Sequence, residues 1–273
     1  MESNRKGKRK DRALAGVCLF LTAVSGYGHA AAAPSSPLRA LSPDRARAVV
    51  RELAEFMAIP NVASDKKNIR RNAEHLAGMM RRRGIETRIL DTAGGPPVVA
   101  GELRAPGAKR TLLVYAHYDG QPVAPAAWTT DPWKPVLMTG TIAGGGKVVR
   151  LNEIRGEGEG EWRLYGRGAS DDKGTIAAAL AALDLLKERG QVPSVNVKYL
   201  FEGEEERGSP HLEAFLRGQA AFFKADGMIL CDGPVHQSRR PQIVFGARGV
   251  MGLEMTVFGP DRGGGGGVVA RQR

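Results

Sequence analysis

Apolar residues recur at helical spacing from 44 to 59, a stretch that includes Val49, Val50, Leu53, Phe56 and Met57, and Pro60 ends the run. Residues 66 to 84 form a second amphipathic stretch, stopped by Gly84. Ile85 to Leu90 and Pro97 to Leu103 read as strands, and after a turn at Ala105 to Ala108 the unbroken apolar run Thr111 to Ala116 suits a strand buried on both faces. A helix is predicted over 175–189 with Gly190 at its C-terminal cap, then a strand from Val195 to Phe201, a helix over 210–221 and a further buried strand from Gly227 to Cys231. This alternation predicts an α/β fold with a mostly parallel, doubly wound sheet and helices on both faces. In such sheets, sites form beyond the carboxyl ends of the strands.

Both ends of the chain break the pattern. Near the start, Arg5, Lys6, Lys8, Arg9, Lys10 and Arg12 precede the apolar run Ala13 to Val24 and the small residues up to Ala33. This is the layout of a secretory signal peptide over residues 1–33, cleaved near Ala31 to Ala33, and the run is short of the roughly 20 residues a membrane span needs. The expectation is a periplasmic or secreted protein with no stable membrane anchor. Near the other end, Gly249 to Phe258 begins a new strand, but Gly263 to Gly267 follow, and five glycines cannot cheaply continue a strand.

Charge and cysteine content narrow the classes further. The formal charge is +11, but residues 1–33 hold six basic and two acidic side chains, so the rest of the chain carries +7. Its basic residues come in short groups, such as Arg81-Arg82-Arg83, without interleaved aromatics, which argues for a solvated basic surface and against a nucleic-acid partner. Cys18 lies in the apolar leader, so Cys231 is the one cysteine expected to remain and no internal disulfide can form.

Candidate chemistry clusters just after the predicted strands. His117-Tyr-Asp119 follows the run ending at Ala116; in extended backbone, residues i and i+2 point the same way, so Asp119 can hold the second ring nitrogen of His117. Asp171 and Asp172 stand in Gly166-Arg-Gly-Ala-Ser-Asp-Asp-Lys-Gly174 ahead of a helix, and Glu202-Gly-Glu-Glu-Glu206 crowds four carboxylates at a strand end. Asp232 follows another apolar strand. Taken singly, each has an ordinary reading: a capped turn, a helix cap, a solvated acidic loop.

Together, Ala116-His-Tyr-Asp-Gly-Gln-Pro122, Gly166 to Gly174 and Glu202 to Ser209 resemble, in order and separation, the metal-binding motifs of the M20 metallopeptidases, a family of carboxypeptidases, dipeptidases and aminoacylases. The resemblance runs from about residue 44 to 262. It implies that His117 binds one metal, Asp171 bridges two, Glu206 binds one and Asp232 the other. Asp119 would orient His117, and Glu205 would be the general acid/base, with Glu204 standing where the family varies. The resemblance also implies a cis peptide at Asp171-Asp172. The implied cofactors are two divalent ions, zinc first given the mixed nitrogen and oxygen donors, with cobalt or manganese as alternatives. The implied substrate is a small peptide, with an N-acyl amino acid as the alternative.

Between the expected signal peptide (1–33) and the glycine-rich tail (263–273), the resemblance implies a partial catalytic domain (34–250) and the first strand of an α+β lid domain (251–262). Members continue through the lid, where they pair as homodimers, and return to the catalytic domain with a last histidine ligand. Here the pattern gives way after Arg262, as a reading-frame shift or early stop would cause. The expectation is therefore weakened metal binding with little or no turnover, an apolar sheet edge left exposed, and, as a rival reading, a metal- or peptide-binding chain without catalysis.

Overall fold

The computed structural model describes residues 42–155, 160–233, 236, 238, 242–246, 249 and 251–256. The leader expected over 1–33, the glycine run and residues 257 and 258 lie outside them. Two units divide the chain, residues 1–232 and 233–273, and the sheet and candidate site belong entirely to the first.

Helix α1 spans Pro43–Met57, with Ser42 accepting the Arg45 backbone N–H at its start. Helix α2 spans Lys66–Arg81 and is capped in the same way by Asp65. Strands β1 (Glu86–Leu90), β2 (Val98–Leu103) and β3 (Thr111–His117) follow. A small two-stranded ribbon, β4 (Val136–Met138) with β5 (Arg163–Tyr165), precedes α3 (Lys173–Glu188) and β6 (Asn196–Glu202). Two short helices, α4 (Leu212–Gly218) and α5 (Ala220–Phe223), lead to β7 (Gly227–Leu230).

The fold is α/β, as the pattern predicts, with main-sheet order β1-β2-β6-β3-β7. The sheet is mixed rather than mostly parallel: β3 pairs parallel with β6 and β7, whereas β1–β2 and β2–β6 are antiparallel. The cause is visible in the connection between β1 and β2, which is too short for the crossover that parallel neighbours need.

Period-two alternation sends neighbouring side chains of the central strands to opposite faces. Val114, Ala116, Val197, Tyr199 and Phe201 pack with Phe56, Leu76, Ile176 and Leu180 of α1, α2 and α3. Leu113, Tyr115 and Leu200 pack with Phe223 and with Leu212, Phe215 and Phe222 from α4 and α5. Helices thus cover both faces. The helix expected over 210–221 is broken at Gln219, which takes a non-helical conformation after Gly218. Strand β7, expected to be buried, is an exposed edge strand, with Met228, Ile229 and Leu230 each about half open or more.

In the second unit, the strand expected from Gly249 has one bridge residue, Met255, among its described positions. Ile243, Val244, Phe245, Met251 and Leu253 are exposed.

Topology places the site. From β3 the chain passes through α3 to β6 on one side, and from β6 through α4 and α5 to β7 on the other side of β3. The end of β3 is therefore the switch point between oppositely directed connections, where doubly wound sheets open a crevice. His117 is the last residue of β3.

Candidate metal centre

His117 and Asp119 are both fully buried, and Asp119 Oδ1 lies 3.2 Å from His117 Nδ1. The same carboxylate accepts two backbone N–H groups, from Glu205 at 3.1 Å and Glu206 at 3.2 Å. Asp119 therefore fixes the ring of His117 and also pins the short 3₁₀ turn Glu205–Arg207 that follows β6. The His117 backbone N–H donates to Asp172 Oδ2 at 3.2 Å. Parallel pairing of β3 with β6 brings these segments together, since His117 stands opposite Glu202.

The outward ring nitrogen of His117 faces acids from three further segments. Asp171 Oδ1 is 3.0 Å away, Glu205 Oε2 3.8 Å and Asp232 Oδ2 3.8 Å. Yet His117 Nε2 is buried and makes no hydrogen bond among the described residues. Donor atoms sharing one tetrahedral ion of zinc size stand about 3.4 Å from one another, so the spacing suits ligands converging on a common cation. Metal-competent atoms of His117, Glu205 and Asp232 all lie within 4.8 Å of one another. The donor set fits the expected cation.

Of the residues singled out from sequence, the structure gathers His117, Asp119, Asp171, Glu205 and Asp232. Glu206 is held at the edge of this group: its Oε2 accepts from Gln121 Nε2, while its buried Oε1 has no hydrogen-bond partner among the described residues. The acid side chains keep one side open, with Asp171, Glu205 and Asp232 respectively 57%, 37% and 38% exposed, so water and a substrate can reach them. The peptide Asp171-Asp172 is cis, as the resemblance implied.

Electrostatics agree with the geometry. Burial alone would lower the His117 pKa, but the Asp119 hydrogen bond and the surrounding carboxylates push it up to about 9. That field favours positive charge at Nε2, whether proton or divalent cation. Burial, reinforced by Asp232 and Glu206, raises the Glu205 carboxyl above its ordinary range against the opposing pull of His117. Burial likewise pushes Asp172 up to about 6.

Three contributors escaped the sequence reading. Sequence gives Asp172 the ordinary reading of a helix cap and the resemblance places it in the cis peptide; its contact with the His117 backbone is marked in the chain only by the doubled aspartate. Glu202, nearly fully buried, accepts from the Tyr115 hydroxyl and from Ser209 Oγ at 2.9 Å, so it supports the turn from below. Glu204, also buried, binds His211 instead of joining the cluster. Of the other described histidines, His75 is stacked on Phe56 and His236 stands against Ser238.

Comparison with known proteins gives a consistent picture. A model of Peptidase family M20/M25/M40 matches residues 113–257, just over half of the chain. A Cys-Gly metallodipeptidase of Schizosaccharomyces pombe is 31% identical over 226 residues, covering 77% of this chain and 43% of that protein. The human Beta-Ala-His dipeptidase is 33% identical over 157 residues, covering 56% and 27% respectively. Among solved structures, the M20 family metallo-carboxypeptidase Sso-CP2 from Sulfolobus solfataricus superposes with a TM-score of 0.58 at 33% identity, over 71% of this chain and 39% of that one. Human carnosine dipeptidase 1 gives a TM-score of 0.56 at 26% identity, over 70% and 40%. The chain spans less than half the length of the curated relatives it matches.

Proposed function

This chain belongs to peptidase family M20/M25/M40, and on that premise we propose that it is built for metal-dependent hydrolysis of the amide bond in dipeptides or at peptide C-termini. One observation carries the reading: three carboxylates converge on a buried histidine nitrogen that makes no hydrogen bond among the described residues, while Asp119 holds the other nitrogen of the same ring. Similarity to a Cys-Gly and a Beta-Ala-His dipeptidase supports dipeptides as the first substrates to test, ahead of N-acyl amino acids.

His117, Asp171 and Asp232 would hold one divalent ion, and Asp171 with Glu206 a second, zinc being the first choice for such mixed donors and cobalt or manganese the alternatives. When bound, such ions supply Lewis acidity toward an amide carbonyl and toward water. The protein's own part is proton handling and alignment. Asp119 keeps the His117 ring in one tautomer and orientation. Glu205, whose carboxyl is raised by burial, takes a proton from the attacking water and returns it to the leaving nitrogen as the C–N bond breaks.

Calorimetric titration of the purified chain with zinc and manganese, followed by assays on a panel of Xaa-Xaa dipeptides and N-acyl amino acids, tests the proposal. Saturable binding abolished by His117→Asn, with dipeptides cleaved in preference, is the expected result. Absence of saturable binding would overturn it. Binding without cleavage would favour a second reading, a metal-binding chain that does not turn over substrate. That reading draws on the single imidazole among the cluster's described residues, His75 and His211 being engaged at Phe56 and Glu204.

A further inference from the structure

Three consecutive glutamates, Glu204, Glu205 and Glu206, leave β6 together, and their side chains part company. Glu205 reaches toward His117 and Glu206 toward Gln121. Glu204 turns to a different set of neighbours. Its Oε1 lies 2.9 Å from His211 Nδ1 and accepts the His211 backbone N–H at 3.0 Å, while Oε2 lies 3.0 Å from the same Nδ1.

This is a closely built contact. The Glu204 side chain is 4% exposed, against 36% for His211. A buried carboxylate is costly unless hydrogen-bonded, and His211 meets that need from both backbone and ring. The loop between β1 and β2 closes over the pair at Gly95, where a Cβ would stand 2.6 Å from His211 Nδ1 and 2.9 Å from Glu204 Oε2. Only a residue without a side chain lets that loop come so near. The backbone of Glu204 is committed as well, its carbonyl accepting from Arg207 at 3.1 Å and Ser209 at 3.1 Å.

We infer that the Glu204–His211 pair is a positioning clamp: it anchors the start of the turn through contacts separate from those of Asp119, so that Glu205 and Glu206 present their carboxylates to the metal-binding group. The inference rests on the metal-binding reading of that group. It also fixes the register of the glutamate run, with Glu204 as anchor and its two successors as the working acids. Asp119 holds the N–H groups of Glu205 and Glu206, and His211 holds Glu204, the residue before them; with either hold lost, the turn can rotate its carboxylates away.

Cobalt(II) binding, followed by its visible absorption and by competition with a chelator, tests this on the full chain. Glu204→Met keeps the bulk of the side chain but removes its acceptors, and should weaken cobalt binding about 10- to 100-fold with an altered spectrum, the range typical of residues that orient metal ligands. Glu204→Gln, which retains one acceptor, should restore part of that loss, and Glu213→Gln on the exposed face of α4 should bind as the parent does. If Glu204→Met fails to fold, His211→Leu carries the test, since that side chain is partly open to solvent. Parent-like cobalt affinity and spectrum in either variant, with only a lowered melting temperature, would overturn the clamp and leave a packing contact. A parent chain that binds no cobalt would instead overturn the metal-binding reading, and the clamp with it.

Discussion

Asp119 Oδ1 lies 3.2 Å from His117 Nδ1, and both residues are sealed from solvent. The same carboxylate accepts two further N–H groups, from Glu205 and Glu206, so all its contacts require an acceptor. Asp119→Asn preserves the shape but aims an amide N–H₂ at one of these donors. Metal affinity should fall about 10- to 100-fold, measured by calorimetry, with a smaller change in the far-ultraviolet circular dichroism than in binding.

Gly203 separates Glu202 from the glutamate run, and a Cβ there would stand 2.6 Å from the ring and hydroxyl of Tyr118. That ring cannot yield easily, because Tyr118 is fully buried and its hydroxyl donates to the Pro97 carbonyl. Gly203→Ala should therefore cost about 1–3 kcal/mol of stability through overpacking, read by urea denaturation. Because Tyr118 lies between His117 and Asp119, metal affinity should fall too.

Lys173 is fully buried, donates to the carbonyls of Phe56 at 2.7 Å and Ile59 at 2.9 Å, and lies over the Phe56 ring. It ties the end of α1 to the turn that carries Asp171. Lys173→Met removes the ammonium donor from both carbonyls and should destabilise the protein by about 2 kcal/mol, seen as a lower denaturation midpoint.

Glu52 and Asp184 share Arg83, whose side chain is 9% exposed. Burial alone would raise the Glu52 pKa, but hydrogen bonds and charge from Arg83 and Arg82 outweigh it and hold the carboxyl below its ordinary value. A carboxyl depressed by folding adds stability that is complete above the unfolded pKa of about 4.3 and is lost as pH falls through the folded value. Thermal melts should show Glu52→Gln less stable than the parent near neutral pH, with the gap closing below about pH 4. A gap that persists undiminished in acid would refute the ion-pair account.

Much of this was legible in the chain itself, for identifiable reasons. The run Thr111 to Ala116 is apolar because β3 is covered on both faces, and the acids after each strand mark the sheet edge where His117 emerges. Other features gave no comparable signal. Strands β4 and β5 have three residues each, too few to show a period. Strand β7 has the apolar sequence of a buried strand but lies at an edge, and neighbours, not composition, decide exposure. The parting of Glu204 from Glu205 depends on where His211 arrives, which no local pattern encodes.

The position of His117 at the switch point has a consequence for assembly. Its partners come from segments near 119, 171, 205 and 232, and they meet only once β6 and β7 have both docked beside β3. The unfolded chain holds no preformed chelate, so the free energy of cation capture is coupled to native topology. A saturating divalent ion should raise the melting temperature in proportion to the logarithm of its concentration. Chelation would thus act on this protein as a mild denaturant.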